Sequence, residues 1–130
     1  MAEVVVQEIE TEEQYDAIVD ASQTQVVIVD LYQQWCGPCT AMKPAFKKIL
    51  LEYENASERI VFASCKYENI IKKVQSTFPS DTAVHLERHG CLPLFAIYRF
   101  GANIGLLPGV DGPAILGLID INIPPIKDDY

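Results

Sequence analysis

The chain has 130 residues, a length that suits one domain with room for a buried core. Hydrophobic residues make up 49%, which excludes a disordered chain, and 18 acidic against 10 basic residues give a net charge of −8. That balance argues against nucleic acid or an anionic membrane surface as partner. The opening "MAEVVVQEIETEEQ" has no basic flank and no long apolar run, no segment approaches bilayer length, and neither end fits a lipid-anchor motif. A reducing intracellular setting is therefore expected, where four cysteines suggest redox or metal chemistry more than a disulfide framework.

In chain order, "VVVQEI" (4–9) reads as a short strand. Thr11 and Gln14 fit a capping box for a helix that runs to about Ser22, with Tyr15, Ile18 and Val19 on its apolar face. "QVVIVDLY" (25–32) is a β-branched run expected of a central strand covered on both faces. A helical pattern then extends from about Trp35 to Tyr53, with Met42, Phe46, Ile49 and Leu50 at helical spacing and a kink expected at Pro44. "RIVFASCKY" (59–67) predicts a strand, "ENIIKKVQSTF" (68–78) a helix, and "SDTAVHLERHG" (80–90) a further helical segment. "LPLFAIYRF" (92–100) and "NIGLLPGV" (103–110) flank Gly101 as a hairpin, and 111–123 is a last helix with Pro113 in its first turn. The order β-α-β-α-β-α(α)-β-β-α predicts an α/β fold with a central mixed sheet flanked by helices on both faces. One domain is expected over residues 1–123, followed by an irregular tail, 124–130.

Chemistry concentrates in "VVIVDLYQQWCGPCTAMKP", where Cys36 and Cys39 stand three apart, behind Trp35 and around Gly37 and Pro38. A reactive dithiol, a metal clasp and plain packing are the alternatives. Cys36 falls where a strand gives way to a helix, so unpaired first-turn amides and the helix dipole would favour its thiolate. A free thiol with a pKa of about 8.5 is roughly 3% ionised at pH 7, so a lowered pKa adds nucleophile and makes Cys36 a better leaving group. Cys39 lies one turn later, on the same face and within bridging reach. Asp30 ends an apolar run; burial would raise its pKa, and a water could pass a proton between it and Cys39. The alternative for Asp30 is an acid near a strand end that faces solvent.

These residues resemble the thioredoxin active-site segment: an acid six positions before the first cysteine, Trp-Cys-Gly-Pro-Cys, and a proline five after the second. "CLPLFAIYRFGANIG" resembles the strand that begins with that family's cis-proline, and the similarity spans about residues 4–121. The resemblance implies a thioredoxin fold, Cys36 as attacking thiol, Cys39 as resolving thiol and Asp30 as buried acid. It implies a substrate groove lined by Trp35, Gly37, Pro38, Pro93 and Gly109, with the Cys36–Cys39 pair as the redox centre and no separate cofactor.

Several positions depart from the family pattern. Leu94 follows the proline where threonine is usual, Ser64 stands where many members carry a lysine near the acid, and Glu68 to Cys91 is longer by roughly eight residues. The lengthened segment, "ENI" and Cys-Leu-Pro are similar to thioredoxin-like modules of ciliary and flagellar outer-arm dyneins. That likeness implies a dynein heavy chain or other outer-arm subunit as partner, with thioredoxin reductase as a second candidate, in the cytoplasm and the axoneme.

Against a metal site, His85 and His89 complete a Cys₂His₂ ligand list with the dithiol, but the intervening segment is far longer than in compact zinc modules. No bound metal is expected. Cys91, near Pro93, is a candidate regulatory thiol, and Cys65 is expected to be a small packing residue.

Overall fold

The computed structural model describes residues 6–32, 43–53, 56–70, 72, 94–108 and 112–124. In chain order these form β1 (Val6–Ile9), α1 (Glu12–Ala21), β2 (Val26–Tyr32), α2 (Lys43–Glu52) and α3 (Ala56–Arg59). β3 (Ile60–Lys66), a 3-10 turn (Tyr67–Ile70), β4 (Leu94–Arg99), β5 (Ala102–Pro108) and α4 (Gly112–Asn122) follow.

α1 starts as its sequence dictates. Thr11 Oγ1 accepts from the Gln14 amide at 3.1 Å, and Gln14 Oε1 accepts from the Thr11 and Glu10 amides at 3.3 and 2.6 Å. This reciprocal arrangement satisfies amides that have no partner within the helix.

The described strands build one mixed sheet in the order β1-β3-β2-β4-β5. β1 and β2 each run parallel to β3, whereas β2–β4 and β4–β5 are antiparallel. All seven residues of β2 are buried, as its unbroken apolar run requires. Alternation along the strand divides them between two cores. Val27, Val29 and Leu31 meet Tyr15, Ile18 and Val19 of α1 on one face. Val26 and Ile28 share the other with Phe46 and Ile49 of α2 and Ile115 and Ile119 of α4. There Phe46 stacks on Phe62, with centroids 4.3 Å apart, and meets Phe95 edge-on at 6.0 Å. Burying such a ring contributes about 2–3 kcal/mol. Helices cover both faces, as expected.

The β4–β5 link is a two-residue turn with φ of 58° at Phe100 and 77° at Gly101. Positive φ at both positions matches the right-handed twist of the paired strands. The turn rests on the end of α1, where the Phe100 amide donates to the Ser22 carbonyl at 2.7 Å.

Some expected boundaries shift. β3 starts at Ile60 and not Arg59, because residues 56–59 form a helical turn that the sequence reading did not anticipate. That turn buries Ala56, and Arg59 Nε donates to the Pro124 carbonyl at 2.9 Å. Where a helix was expected from Glu68, Tyr67–Ile70 form a 3-10 turn, and most of the expected 68–78 helix lies outside the described residues. β5 begins one residue early, at Ala102, which pairs with Arg99. The expected kink at Pro44 depends on residues outside the described set, as do the 80–90 helix and the tail beyond residue 124.

Candidate functional site

β2 delivers the chain to the dithiol segment: its last residue is Tyr32, and Cys36 follows four positions later. Trp35, Cys36, Gly37, Pro38, Cys39, Cys91, Pro93 and Gly109 lie outside the described residues, as do His85 and His89. Asp30 lies within them.

Asp30 is 4% exposed, which excludes the solvent-facing alternative. Its register partners are Ser64 on β3 and Phe95 on β4. It shares a face with Val26 and Ile28, two and four residues back, so it sits where an apolar layer ends and the strand turns toward the dithiol segment. Ser64, itself 3% exposed, pairs on its far side with Glu8 of β1. The row Glu8–Ser64–Asp30 therefore crosses three adjacent parallel strands on one face, at about 4.8 Å per step.

Two hydrogen bonds tie the Glu8 end of this row to its neighbours. Ser64 Oγ donates to Glu8 Oε2 at 3.1 Å, and the Tyr32 hydroxyl donates to Glu8 Oε1 at 2.7 Å. Burial, then the bond to Glu8, then the charges of Glu8 and Asp30 push the Tyr32 phenol above its ordinary range. It remains a donor at neutral pH.

Cys65 points to the opposite face, fully buried among Ile9, Val29 and Leu31. Burial, with a smaller effect of the Glu8 charge, pushes its thiol up to about 12. It is a packing residue, as expected, and no nucleophile at neutral pH. Among the described residues no group of three or more His, Cys, Asp or Glu is placed to hold a metal ion.

Sequence reasoning marked Asp30, and noted Ser64 as a departure, but missed Glu8 and Tyr32. One signal for Glu8 was available: it follows Val6 on the same side of a strand, an acid at the C-terminal end of an apolar row, as Asp30 is on β2.

Comparison with known proteins points one way. Residues 5–104 match the family described as Thioredoxin. Thioredoxin domain-containing protein 3 of Homo sapiens is 31% identical over 99 residues, covering 73% of this chain but 15% of that protein. The chain thus spans a small part of that relative, and 11% of its Heliocidaris crassispina homolog. Thioredoxin of Homo sapiens is 26% identical over 107 residues, covering 82% of this chain and 89% of that one. Among solved structures, Malassezia sympodialis thioredoxin superposes with a TM-score of 0.62 at 21% identity, covering 94% of each chain, a likeness of fold. With the mixed sheet, its flanking helices and the match over residues 5–104, the chain belongs to the thioredoxin family, whose chemistry runs on a redox-active cysteine pair and needs no separate cofactor.

Proposed function

We propose that the chain is a redox-active light-chain subunit of axonemal outer-arm dynein, working in the cytoplasm and the cilium or flagellum. Its Cys36/Cys39 dithiol exchanges with a disulfide on the heavy chain or on a neighbouring outer-arm subunit. The observation that supports this reading is a contrast among relatives. Identity is 31% to thioredoxin modules within much longer proteins, against 25–28% to single-domain thioredoxins. That pattern suits a module that works inside a larger assembly, as does the lengthened Glu68–Cys91 segment.

In the proposed reaction, the Cys36 thiolate attacks one sulfur of the partner disulfide, and the displaced partner thiolate takes up a proton. Cys39 gives its proton to Asp30 and attacks Cys36, closing the Cys36–Cys39 ring and releasing the second partner thiol. Two electrons pass from the dithiol to the partner, whose two thiolates take their protons from water, and Asp30 receives the proton that Cys39 gives up. Asp30 suits the proton step because a carboxylate at 4% exposure is weakly screened by water. In this reading Trp35, Gly37, Pro38, Pro93 and Gly109 are the residues assigned to receive the partner's backbone. Cys91 is assigned as a regulatory thiol.

Axonemes extracted with high salt, followed by covalent capture on a Cys39→Ser variant, test the assignment. The protein should leave with the outer arms, and the variant should hold an outer-arm subunit that a reductant releases. Absence of the protein from the outer-arm extract overturns the reading.

A second reading, a free cytosolic thioredoxin that reduces many protein disulfides, draws on the 88–89% of single-domain thioredoxins that the chain spans. Rapid insulin reduction with thioredoxin reductase and NADPH would favour it, and negligible turnover would reject it.

A further inference from the structure

We propose that Ser64 and Glu8 form a proton path that connects the buried Asp30 carboxyl to solvent at the β1 edge of the sheet. The inference rests on the proposed proton exchange between Asp30 and Cys39, and it names how that proton leaves. Asp30 and Ser64 are both buried, whereas Glu8 is exposed on the edge strand. The shared register places the three side chains on one face, with Ser64 between the two acids.

The Ser64 hydroxyl already donates to Glu8 Oε2 at 3.1 Å, so its own oxygen can accept from a protonated Asp30. A proton then moves from Asp30 to Ser64 Oγ as the hydroxyl proton moves to Glu8, which releases it to water. Rotation of the hydroxyl resets the path, so Ser64 starts and ends neutral. Tyr32 holds the other Glu8 oxygen at 2.7 Å and fixes the carboxylate toward Ser64.

Among the described residues, the groups that face this route are these. α2 and α4 turn Phe46, Ile49, Ile115 and Ile119 toward the layer, none of them titratable. Lys47, Lys48 and Glu52 are exposed on α2, and Asp120 of α4 accepts the Tyr53 hydroxyl. Among the described residues, Lys66, partly buried beside Tyr32 in register, and exposed Glu10, beyond the end of β1, are further charged groups toward the row's open end.

The test uses the full chain carrying Cys91→Ser, with Glu8→Gln, Ser64→Ala and Ser64→Thr compared. Each reduced protein is mixed rapidly with an aromatic disulfide that releases one coloured thiolate on attack by Cys36 and a second when Cys39 resolves the mixed disulfide. Glu8→Gln and Ser64→Ala should slow the second release by about tenfold and leave the first unchanged, while Ser64→Thr restores the rate.

Carboxyl-carbon NMR follows Asp30 directly and needs no dithiol turnover. Removing the Glu8 charge should lower the Asp30 midpoint measurably, because a like charge no longer opposes ionisation. Second-release rates within about twofold of the parent in both Glu8→Gln and Ser64→Ala overturn the path, since the proposed step contributes far more than that. An Asp30→Asn chain whose second release is unchanged sinks the underlying exchange reading instead, and the Asp30 midpoint in Glu8→Gln still reports the coupling.

Discussion

Arg99 Nη1 lies 3.0 Å from the backbone carbonyl of Ser22, so the last residue of β4 closes the C-terminal end of α1. The same nitrogen donates to the Gln23 carbonyl at 2.9 Å, and Nε donates to the Asn122 carbonyl at 2.8 Å, at the end of α4. Helix ends leave carbonyls without intrahelical partners and carry partial negative charge, which a buried guanidinium answers. Arg99 is 6% exposed, and its planar fork reaches both helix ends in a way that a lysine point charge does not. Replacing Arg99 with Met should cost about 3 kcal/mol, read as a lower urea midpoint at unchanged slope. Arg99 lies at the end of the sheet away from Asp30, because β4 runs antiparallel to β2. Dithiol exchange by the folded fraction should therefore be unchanged.

The β4–β5 turn gives a second expectation. Gly101 adopts φ of +77°, and its amide donates to Ser22 Oγ at 2.8 Å. A Cβ at this position would stand 2.6 Å from Gln23 Nε2, the movable end of a side chain, so the backbone conformation carries most of the penalty. Gly101→Ala should cost about 1–2 kcal/mol, measured by thermal or urea unfolding. A change below about 0.3 kcal/mol would show that the turn relaxes freely.

How much of this was written in the sequence depends on how local each feature is. The Thr11–Gln14 box, the hairpin at Gly101 and the burial of β2 follow from residues within a few positions of one another, and all were expected. The turn at Ala56–Arg59 was missed because four residues carry no periodicity, and tertiary contacts of Ala56 and Arg59 hold it. The row Glu8–Ser64–Asp30 was missed for a different reason. It exists only once β1 and β2 both pair with β3 in one register, and a slip of one residue would turn Glu8 to the other face.

Alkaline pH should unfold the protein by a route set in the α1 core. The Tyr15 and Tyr98 hydroxyls bond to each other, with their rings edge-on at 5.9 Å. Burial pushes Tyr98 up to about 12 and Tyr15 higher still, and Cys65 on the same face is also raised to about 12. In the unfolded chain a thiol loses its proton near about 8.5 and a phenol near about 10. The folded state then binds more protons than the unfolded one, so stability falls as pH rises. The contribution is complete below about pH 8; it falls from about pH 8.5 for Cys65 and about pH 10 for the tyrosines up to about pH 12, and beyond that for Tyr15, at up to about 1.4 kcal/mol per pH unit for each group. Urea midpoints measured across that window should fall less steeply in Tyr15→Phe, which removes one proton from the balance.

The two bonds on Glu8 allow its structural weight to be separated from its proposed part in proton movement. Glu8 is exposed, so a carboxylate that loses the Tyr32 hydroxyl regains water, and the net cost stays small. Tyr32→Phe should therefore destabilise the fold by about 1 kcal/mol, and Glu8→Gln by less. The residues touch at 2.7 Å, so their effects should not add. A double-mutant cycle in urea should give a coupling of about 0.5–1 kcal/mol, and a value near zero would mean that the bond contributes nothing in solution. Tyr32→Phe keeps both the Glu8 carboxyl and the Ser64 hydroxyl, so it should slow the resolving step far less than Ser64→Ala. If Tyr32→Phe slows that step as much, the anchoring of Glu8 governs the rate, and proton passage through Ser64 does not.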